Sequence, residues 1–316
     1  MDTHAVRSLS DGAAPRRGAA LPLGPGFADR LDEARVVGLD LIRLDVPWAR
    51  AQPREATLDG GVFEEVHIAA ADARARGLDV WLRIAPPELP RWFDDEGGFA
   101  DRRVAARAWP RWVEAVAERL GAVASGWVPF EAPFGLTMRL APTDLRRQGE
   151  VLDHLVVAWR DAWRILRGGV PVATSLDVAA ERPIDESPAS LDEARRRERC
   201  RWDLWLDGLR DGVVRVPGRA DRVLDDLAGA CDVLGVALAV DAAGTVGGHL
   251  TGGLEAVLHR IADRGPDRPL AVTLRLEATG TDERAEALGR VWRDAVVAAE
   301  DLALTSVTTL GLDGWR

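Results

Sequence analysis

Carboxyl groups that could move protons stand at the ends of several short apolar runs in this sequence. Glu131 follows Trp-Val-Pro-Phe, Asp45 and Asp177 close two other runs, and Glu277 comes directly after a fourth. An apolar, partly dry site raises a carboxyl pKa toward neutrality, which general acid catalysis requires. Glu131 is therefore a candidate for acid/base chemistry, with Glu277, Asp177 or Asp45 as its partner.

Three arginines occupy comparable positions and could hold an anion. Arg43, Arg83 and Arg275 lie near the same end of their runs, and three guanidiniums around one opening would clamp a carboxylate or phosphate. Two other interpretations stay open. Arg83 or Arg275 could point outward and pack its stem on apolar surface, and Arg43 could form a buried salt bridge.

Other polar and aromatic residues stand just beyond apolar runs, where a ligand could reach them: Glu88, Trp92, Asp241, Asp313 and Trp315. Of the twelve tryptophans, only Trp48, Trp92 and Trp315 are placed to stack on a ring. Most of the others fall at helical spacing and predict packing in the core: Trp109, Trp112, Trp159, Trp163, Trp202, Trp205 and Trp292.

The elements that must position these residues alternate regularly along the chain. Eight short, β-branched runs occur near 18–23, 40–46, 79–85, 125–131, 171–177, 232–240, 269–276 and 304–310. Stretches with helical spacing separate them, and several end in Gly, as a helix C-cap would. This alternation predicts an α/β fold, a (β/α)8 TIM barrel whose functional face lies at the carboxyl ends of the strands.

The sequence predicts one barrel domain over residues 18–316, preceded by a loose leader over 1–17. The longest insertion, roughly 178–231, carries its own helical segment. Arg316 follows the eighth run so closely that we expect the eighth helix to be missing. A second copy of the chain in a homodimer, or the leader, is then expected to cover the side left open.

Composition excludes several classes of function. A net charge of -10 argues against nucleic acid as a partner, because duplex binding depends on basic side chains. All 41 basic residues are Arg, and there is no Lys, Asn or Tyr, which is typical of a GC-rich bacterial genome. A Schiff-base lysine and a phenolic proton donor are therefore absent.

The remaining reactive residues predict no cofactor and no metal. Cys200 and Cys231 lack CxxC spacing, which favours reduced structural thiols. The five histidines are scattered, and no pair of them has metal-ligand spacing. No apolar run reaches the roughly 18 residues of a membrane span and no signal peptide is recognisable, so we expect a cytoplasmic protein.

A series of motifs resembles family 1 glycoside hydrolases. The stretch GLDLIRLDVPWARAQP is similar to the family's GLDAYRFSISWPRILP, with Arg43, Trp48, Arg50 and Pro53 in register. Four further segments resemble family motifs and occur in the family's order. RIAPPELPRWFDDEGGF is similar to TLYHWDLPQALQDKGGW, and WVPFEAP is similar to WITFNEP. DVLGVALAV is similar to DFLGVNYYT, and PLAVTLRLEATG is similar to PLYITENGAA. The resemblance runs from about residue 25 to the C-terminus and implies a barrel of β-glucosidase type.

The same resemblance implies that both catalytic glutamates are replaced. A retaining glycosidase needs two carboxyl groups about 5 to 5.5 Å apart, and the family takes them from NEP and TENG. Ala132 stands at the acid/base position. Glu131 replaces the Asn one residue earlier, and strand alternation should turn it away from the direction of a partner carboxylate. Thr273 matches the Thr of TENG, so Leu274 stands at the nucleophile position.

Sugar-holding positions are replaced as well, which leaves mostly apolar walls for a hydroxylated ligand. The family's His, Trp, Asn, Tyr and Trp correspond in order to Pro86, Pro87, Asp177, Leu238 or Ala239, and Thr309. Arg43, which in the family lies beneath the nucleophile, is retained.

These residues favour a pseudoglycosidase that lacks retaining β-glycosidase activity and binds a small molecule or carbohydrate-derived ligand at the barrel mouth. The alternative is a repurposed enzyme that performs acid/base chemistry on a non-sugar or modified-sugar substrate, with Glu131 as its key carboxyl group.

Overall fold

The computed structural model of the chain describes residues 14–179, 181–240, 253–276, 281–310 and 312. Eight parallel strands form one sheet in the order β4-β3-β2-β1-β10-β9-β8-β5. They are β1 Arg16–Ala20, β2 Leu41–Asp45, β3 Asp79–Ala85, β4 Gly126–Phe130, β5 Leu176–Val178, β8 Leu234–Val240, β9 Leu270–Leu276 and β10 Leu304–Leu310. A separate antiparallel hairpin joins β6 Val213–Val214 to β7 Arg222–Val223.

The sheet closes on itself between β4 and the segment that leads into β5. The backbone N–H of Trp127 donates to the carbonyl of Pro171 at 2.8 Å, and the N–H of Ala173 donates to the carbonyl of Trp127 at 2.8 Å. On the other side of the segment, a Cβ atom on Gly235 would lie 1.9 Å from the carbonyl oxygen of Thr174. Glycine at 235 therefore allows β8 to approach this closure.

Helices connect the strands and surround the barrel. They are α1 Phe27–Val36, α2 Trp48–Ala51, α3 Gly60–Ala75, α4 Arg91–Asp95, α5 Arg102–Leu120, α6 Pro133–Leu140, α7 Leu145–Leu166, α8 Pro188–Glu198, α9 Leu204–Asp211, α10 Gly253–Arg264 and α11 Thr281–Asp301. A π-helical turn, Arg199–Asp203, joins α8 to α9, and a 3₁₀ turn covers Gly98–Ala100. Asp59, Asp101, Asp144 and Ser187 cap four of these helices through their side chains.

The predicted (β/α)8 barrel is confirmed, with shifts at some boundaries. β1 begins at Arg16, so residues 16 and 17 belong to the barrel rather than to the predicted leader, whose first 13 residues lie outside the described part. β5 begins later than the run at 171–177, because Val172 and Ala173 form only isolated bridges, to Trp127 of β4 and to Val233 just before β8. The described residues contain no helix after β10, and the covering second copy stays a prediction.

No helix among the described residues is long and apolar enough to cross a bilayer.

Five of the tryptophans predicted to pack in the core are fully buried: Trp109, Trp112, Trp159, Trp202 and Trp205. Trp163 and Trp292 pack at the edge of the core.

Both cysteine thiols are free and buried. Burial raises the pKa of Cys200 to about 11 and that of Cys231 to about 12, in each case by excluding water from the thiolate. Since the thiolate is the reactive form, we expect neither thiol to react with Ellman's reagent at about pH 8 in the folded protein. Two thiols should react once denaturant is added. Rapid reaction of either thiol without denaturant would contradict this burial.

Candidate functional site

The barrel mouth contains a cleft of about 360 Å³, a volume suited to a small organic molecule. Its charged lining comes from the ends of three strands and from α6: Arg83, Glu131, Arg139 and Arg275. Its apolar walls include Ala85, Pro86, Pro87, Leu89, Leu136 and Leu310. Pro86 and Pro87 stand where the sequence resemblance implies lost sugar contacts, and their rings offer no hydrogen-bond donor to a hydroxyl group.

Glu131 is held inside the mouth by two arginines. Its Oε2 lies 3.3 Å from Nη2 of Arg43 and accepts a hydrogen bond from Nη1 of Arg83. The Glu131 side chain is 10% exposed and that of Arg43 only 5%. A carboxylate whose charge is already shared by two guanidiniums is a poor proton donor and a poor nucleophile.

Arg43 is a deeply buried charge beside the mouth. Its Nη1 donates to the hydroxyl of Thr273 at 3.2 Å, but its Nε has no hydrogen-bond partner. Burial lowers the pKa of Arg43, and the charge of Glu131 opposes that shift. Arg43 therefore forms the buried salt bridge that was one of its two sequence interpretations.

Arg83 is held by carboxylates on two sides. Its Nε and Nη2 donate to the two oxygens of Asp45 at 2.6 and 2.7 Å, and its Nη1 donates to Glu131. Burial alone would lower the pKa of Arg83, but the hydrogen bonds and charges of Asp45 and Glu131 raise it above its ordinary value. Arg83 points into the mouth rather than outward under a helix.

A second charge cluster is built around Asp177. Its Oδ1 accepts from Nη2 of Arg275 and its Oδ2 from Nη1 of Arg201, both at 2.5 Å. Arg201 also donates through Nε to Glu181 at 2.7 Å, and its guanidinium lies 4.7 Å from the ring centre of Phe134. Asp177 is 5% exposed and does not line the cleft, so it positions Arg275 there.

The sequence did not single out Arg201 or Glu181, because neither lies on a barrel strand. Arg201 comes from the π-helical turn in the long insertion after β5. The only available signal was the length of that insertion, since long βα loops sit on the functional face of such barrels.

Glu131 points into the mouth, although strand alternation was expected to turn it away from the direction of a partner carboxylate. Phe130, the last residue of β4, packs its ring against Trp159 and Trp205 on the outer helices, and the next side chain points inward. Ala132 also lines the cleft, because it has left the strand and adopts a left-handed conformation with φ 47°. This conformation is uncommon for a residue other than Gly. Ala132 is the N-cap residue of α6 and makes no side-chain capping hydrogen bond.

β9 presents Thr273 and Arg275 to the interior instead of Leu274. Thr273 binds Arg43, and Arg275 lines the cleft and binds Asp177. Strand alternation then turns Leu274, which is fully buried, toward the surrounding helices. An arginine thus occupies the inward position nearest the mouth on this strand, and Leu274 does not stand above Arg43.

The other candidates divide between the core, the surface and the residues outside the described part. Trp48 is fully buried and stacks on Trp112 with ring centres 5.3 Å apart, so the prediction that it could stack on a ligand is wrong. Trp92 is half-buried beside Phe93 and does not line the cleft, and Glu88 is exposed. Asp241, Glu277, Asp313 and Trp315 lie outside the described residues.

One group of potential metal ligands comes together away from the mouth. Ligand atoms of Glu255, His259 and Asp301 lie within 4.8 Å of one another. Glu255 and His259 are one helical turn apart on α10. Partly exposed groups of this kind are common without a metal, so we assign no metal to them.

No protein-family model matches the sequence, and neither does any curated protein. Solved structures do match it. A family 1 β-glucosidase from Exiguobacterium antarcticum superposes with a TM-score of 0.77 at 14% identity, covering 94% of this chain and 88% of that one. The fold is that of the family 1 glycoside hydrolases.

Two further structures with this family 1 fold agree. The β-glucosidase of Micrococcus antarcticus gives a TM-score of 0.76 at 18% identity, covering 94% of this chain and 88% of its own. The β-glycosidase of Pyrococcus horikoshii gives 0.76 at 17% identity, covering 90% of this chain and 74% of its own. At these identities the likeness concerns the fold.

Proposed function

We propose that this family 1-type barrel does not hydrolyse β-glycosides by the retaining mechanism and that its mouth binds a small molecule. The proposal rests on the pairing of the Glu131 carboxylate with arginines. Among the described residues, Glu131 is the one carboxylate that lines the cleft. Two arginines engage it, and the inward position on β9 nearest the mouth is Arg275 instead of a second carboxylate. The retaining mechanism requires two carboxyl groups about 5 to 5.5 Å apart with separate roles.

The apolar walls support a ligand other than an ordinary sugar. The cleft is lined by two prolines and three leucines on its uncharged sides. A site that leaves sugar hydroxyls without partners discriminates against them, because each unpaired polar group carries a desolvation cost.

The test is turnover of p-nitrophenyl β-glycosides by the pure, full-length protein. We expect no release of nitrophenol above the buffer blank. Gly135→Trp provides the control, because Gly135 is exposed on the cleft wall and a tryptophan there would fill the cleft. Turnover that Gly135→Trp abolishes would overturn the proposal, whereas turnover that survives this change is not from the cleft.

The alternative function, acid/base catalysis by Glu131 on a modified substrate, has one observation in its favour. The Glu131 side chain lines the cleft and is 10% exposed, so a substrate could touch it. The two arginines on its Oε2 weigh against it. In this alternative, Glu131→Gln would abolish an activity under conditions in which the variant is still folded.

A further inference from the structure

We propose that the occupant of the cleft is an organic oxyanion, a small carboxylate or phosphate with an apolar body, held by Arg275 and Arg139. This inference rests on the proposed function, since it names the ligand class of the same cleft. The chain as a whole carries a net charge of -10, yet three of the four charged side chains that line its cleft are arginines. A cationic cleft in an acidic protein concentrates anions.

The carboxylates that balance two of these arginines are not part of the cleft lining. Asp45 holds Arg83 and Asp177 holds Arg275, and neither aspartate lines the cleft. Glu131 does line it, but its Oε2 is shared by Arg43 and Arg83. The charge presented to a ligand is therefore mainly cationic.

Arg275 and Arg139 have donors to spare. In the part of the chain that the structure describes, Arg275 hydrogen-bonds only through Nη2, and its buried Nε has no partner. Arg139 is exposed on α6 and donates Nη1 to the carbonyl of Pro87 at 2.7 Å, with no ion pair to any described carboxylate. Guanidiniums with free N–H groups bind carboxylates and phosphates through charge-assisted hydrogen bonds.

The rest of the wall fits the body of such a ligand. Pro86, Pro87, Leu89 and Leu136 supply apolar surface beside the arginines. An anion with a ring or a branched chain would bury its apolar part there while its oxygens meet the guanidiniums. A free inorganic ion would leave this apolar surface without a contact.

The experiment measures binding of benzoate, phenyl phosphate and the neutral benzyl alcohol to the full-length protein by calorimetry, each at up to about 10 mM so that millimolar affinities register. We expect one or both anions to bind more tightly than benzyl alcohol, and their affinity to fall as salt is added. The stronger of the two anions shows whether the cleft prefers a carboxylate or a phosphate. Arg275→Gln and Arg139→Gln should each weaken anion binding by about tenfold or more.

Arg91→Gln is the matched control, because the Arg91 side chain is 93% exposed and lies away from the cleft lining. It should leave anion binding unchanged. Should Arg275→Gln fail to fold, the exposed Arg139 still provides the test. The inference is overturned if benzyl alcohol binds as tightly as the anions, if Arg139→Gln binds them like the unaltered protein, or if no probe binds.

Glycoside turnover measured on the same preparation separates the two proposals. Cleft-dependent turnover overturns the proposed function whatever the anions do. No turnover combined with no preference for anions overturns only the ligand class.

Discussion

Glutamine in place of Glu131 should lower the free energy of unfolding by about 3 to 5 kcal/mol, the range found when one partner of a buried ion pair is removed. The Arg43 side chain is 5% exposed, and its pKa is already lowered by burial. Without the charge of Glu131, that guanidinium would lose its ion pair and keep its neutral hydrogen bond to Thr273. Urea unfolding curves of the two proteins, compared at equal m value, give the difference.

The matched control for Glu131→Gln is Glu65→Gln. Glu65 pairs with Arg50 at 2.7 Å, but the two side chains are 38% and 58% exposed. Removing this surface pair should cost less than about 1 kcal/mol. Adding Arg43→Met to Glu131→Gln should recover much of the lost stability, because no buried guanidinium then lacks its carboxylate. Equal losses from Glu131→Gln and Glu65→Gln would show that the buried pair does not stabilise the mouth.

Alanine in place of Trp48 should cost about 3 to 5 kcal/mol of unfolding free energy, as for other large buried aromatic residues. Trp48 is fully buried and lies within 6 Å, centre to centre, of the rings of Phe93, Trp109 and Trp112. Its removal would leave a cavity between α2 and the helices around it. Thermal or urea unfolding measures the loss.

Trp92→Ala tests whether the loss at Trp48 comes from burial. Both residues are tryptophans on short helices after a barrel strand, but Trp92 is only half-buried and meets Phe93 edge-on. We expect its replacement to cost clearly less than that of Trp48. A larger loss at Trp92 would mean that the packing around Trp48 relaxes to fill the space.

The barrel could be predicted from the sequence because a short apolar run is enough to indicate each strand, and the helical spacing of apolar residues is enough to indicate each helix. The seventh and eighth runs, 269–276 and 304–310, match β9 and β10 to within one residue. The exception is β5, where the closing segment forms isolated bridges and the regular strand begins only at Leu176. Hydrophobicity identifies the run, whereas local backbone geometry decides where regular pairing starts.

The residues that line the mouth are harder to predict from the sequence, because neighbouring residues on a strand point to opposite faces and an error of one residue selects the wrong side chain. Arg43 and Arg83 point inward as their strands suggest. At β9, however, the motif resemblance implies Leu274 at the mouth, although the inward side chains are Thr273 and Arg275. Motif letters give a register along the chain, but only the strand geometry tells which of two neighbours faces the interior.

The salt-bridge partners lay beyond the reach of the sequence. Glu131 and Arg43 are 88 residues apart, and Asp177 meets Arg275 across 98 residues. Many acidic residues are available in a chain with 51 of them, so composition does not select the pair. The closed sheet makes that selection by placing the strand ends side by side.

The π-helical turn at Arg199–Asp203 determines which way the side chains of α8 and of the turn itself face relative to those of α9. A turn of this kind contains one more residue than an α-helical turn, and each residue of an α-helix advances the side chains by about 100°. Deleting one residue there would rotate Arg201 away from Asp177 and Glu181, which it now binds. Asp177 would then bind Arg275 alone. The length of a connecting helix would thus change the strength of the Asp177–Arg275 ion pair, with no substitution in the cleft lining.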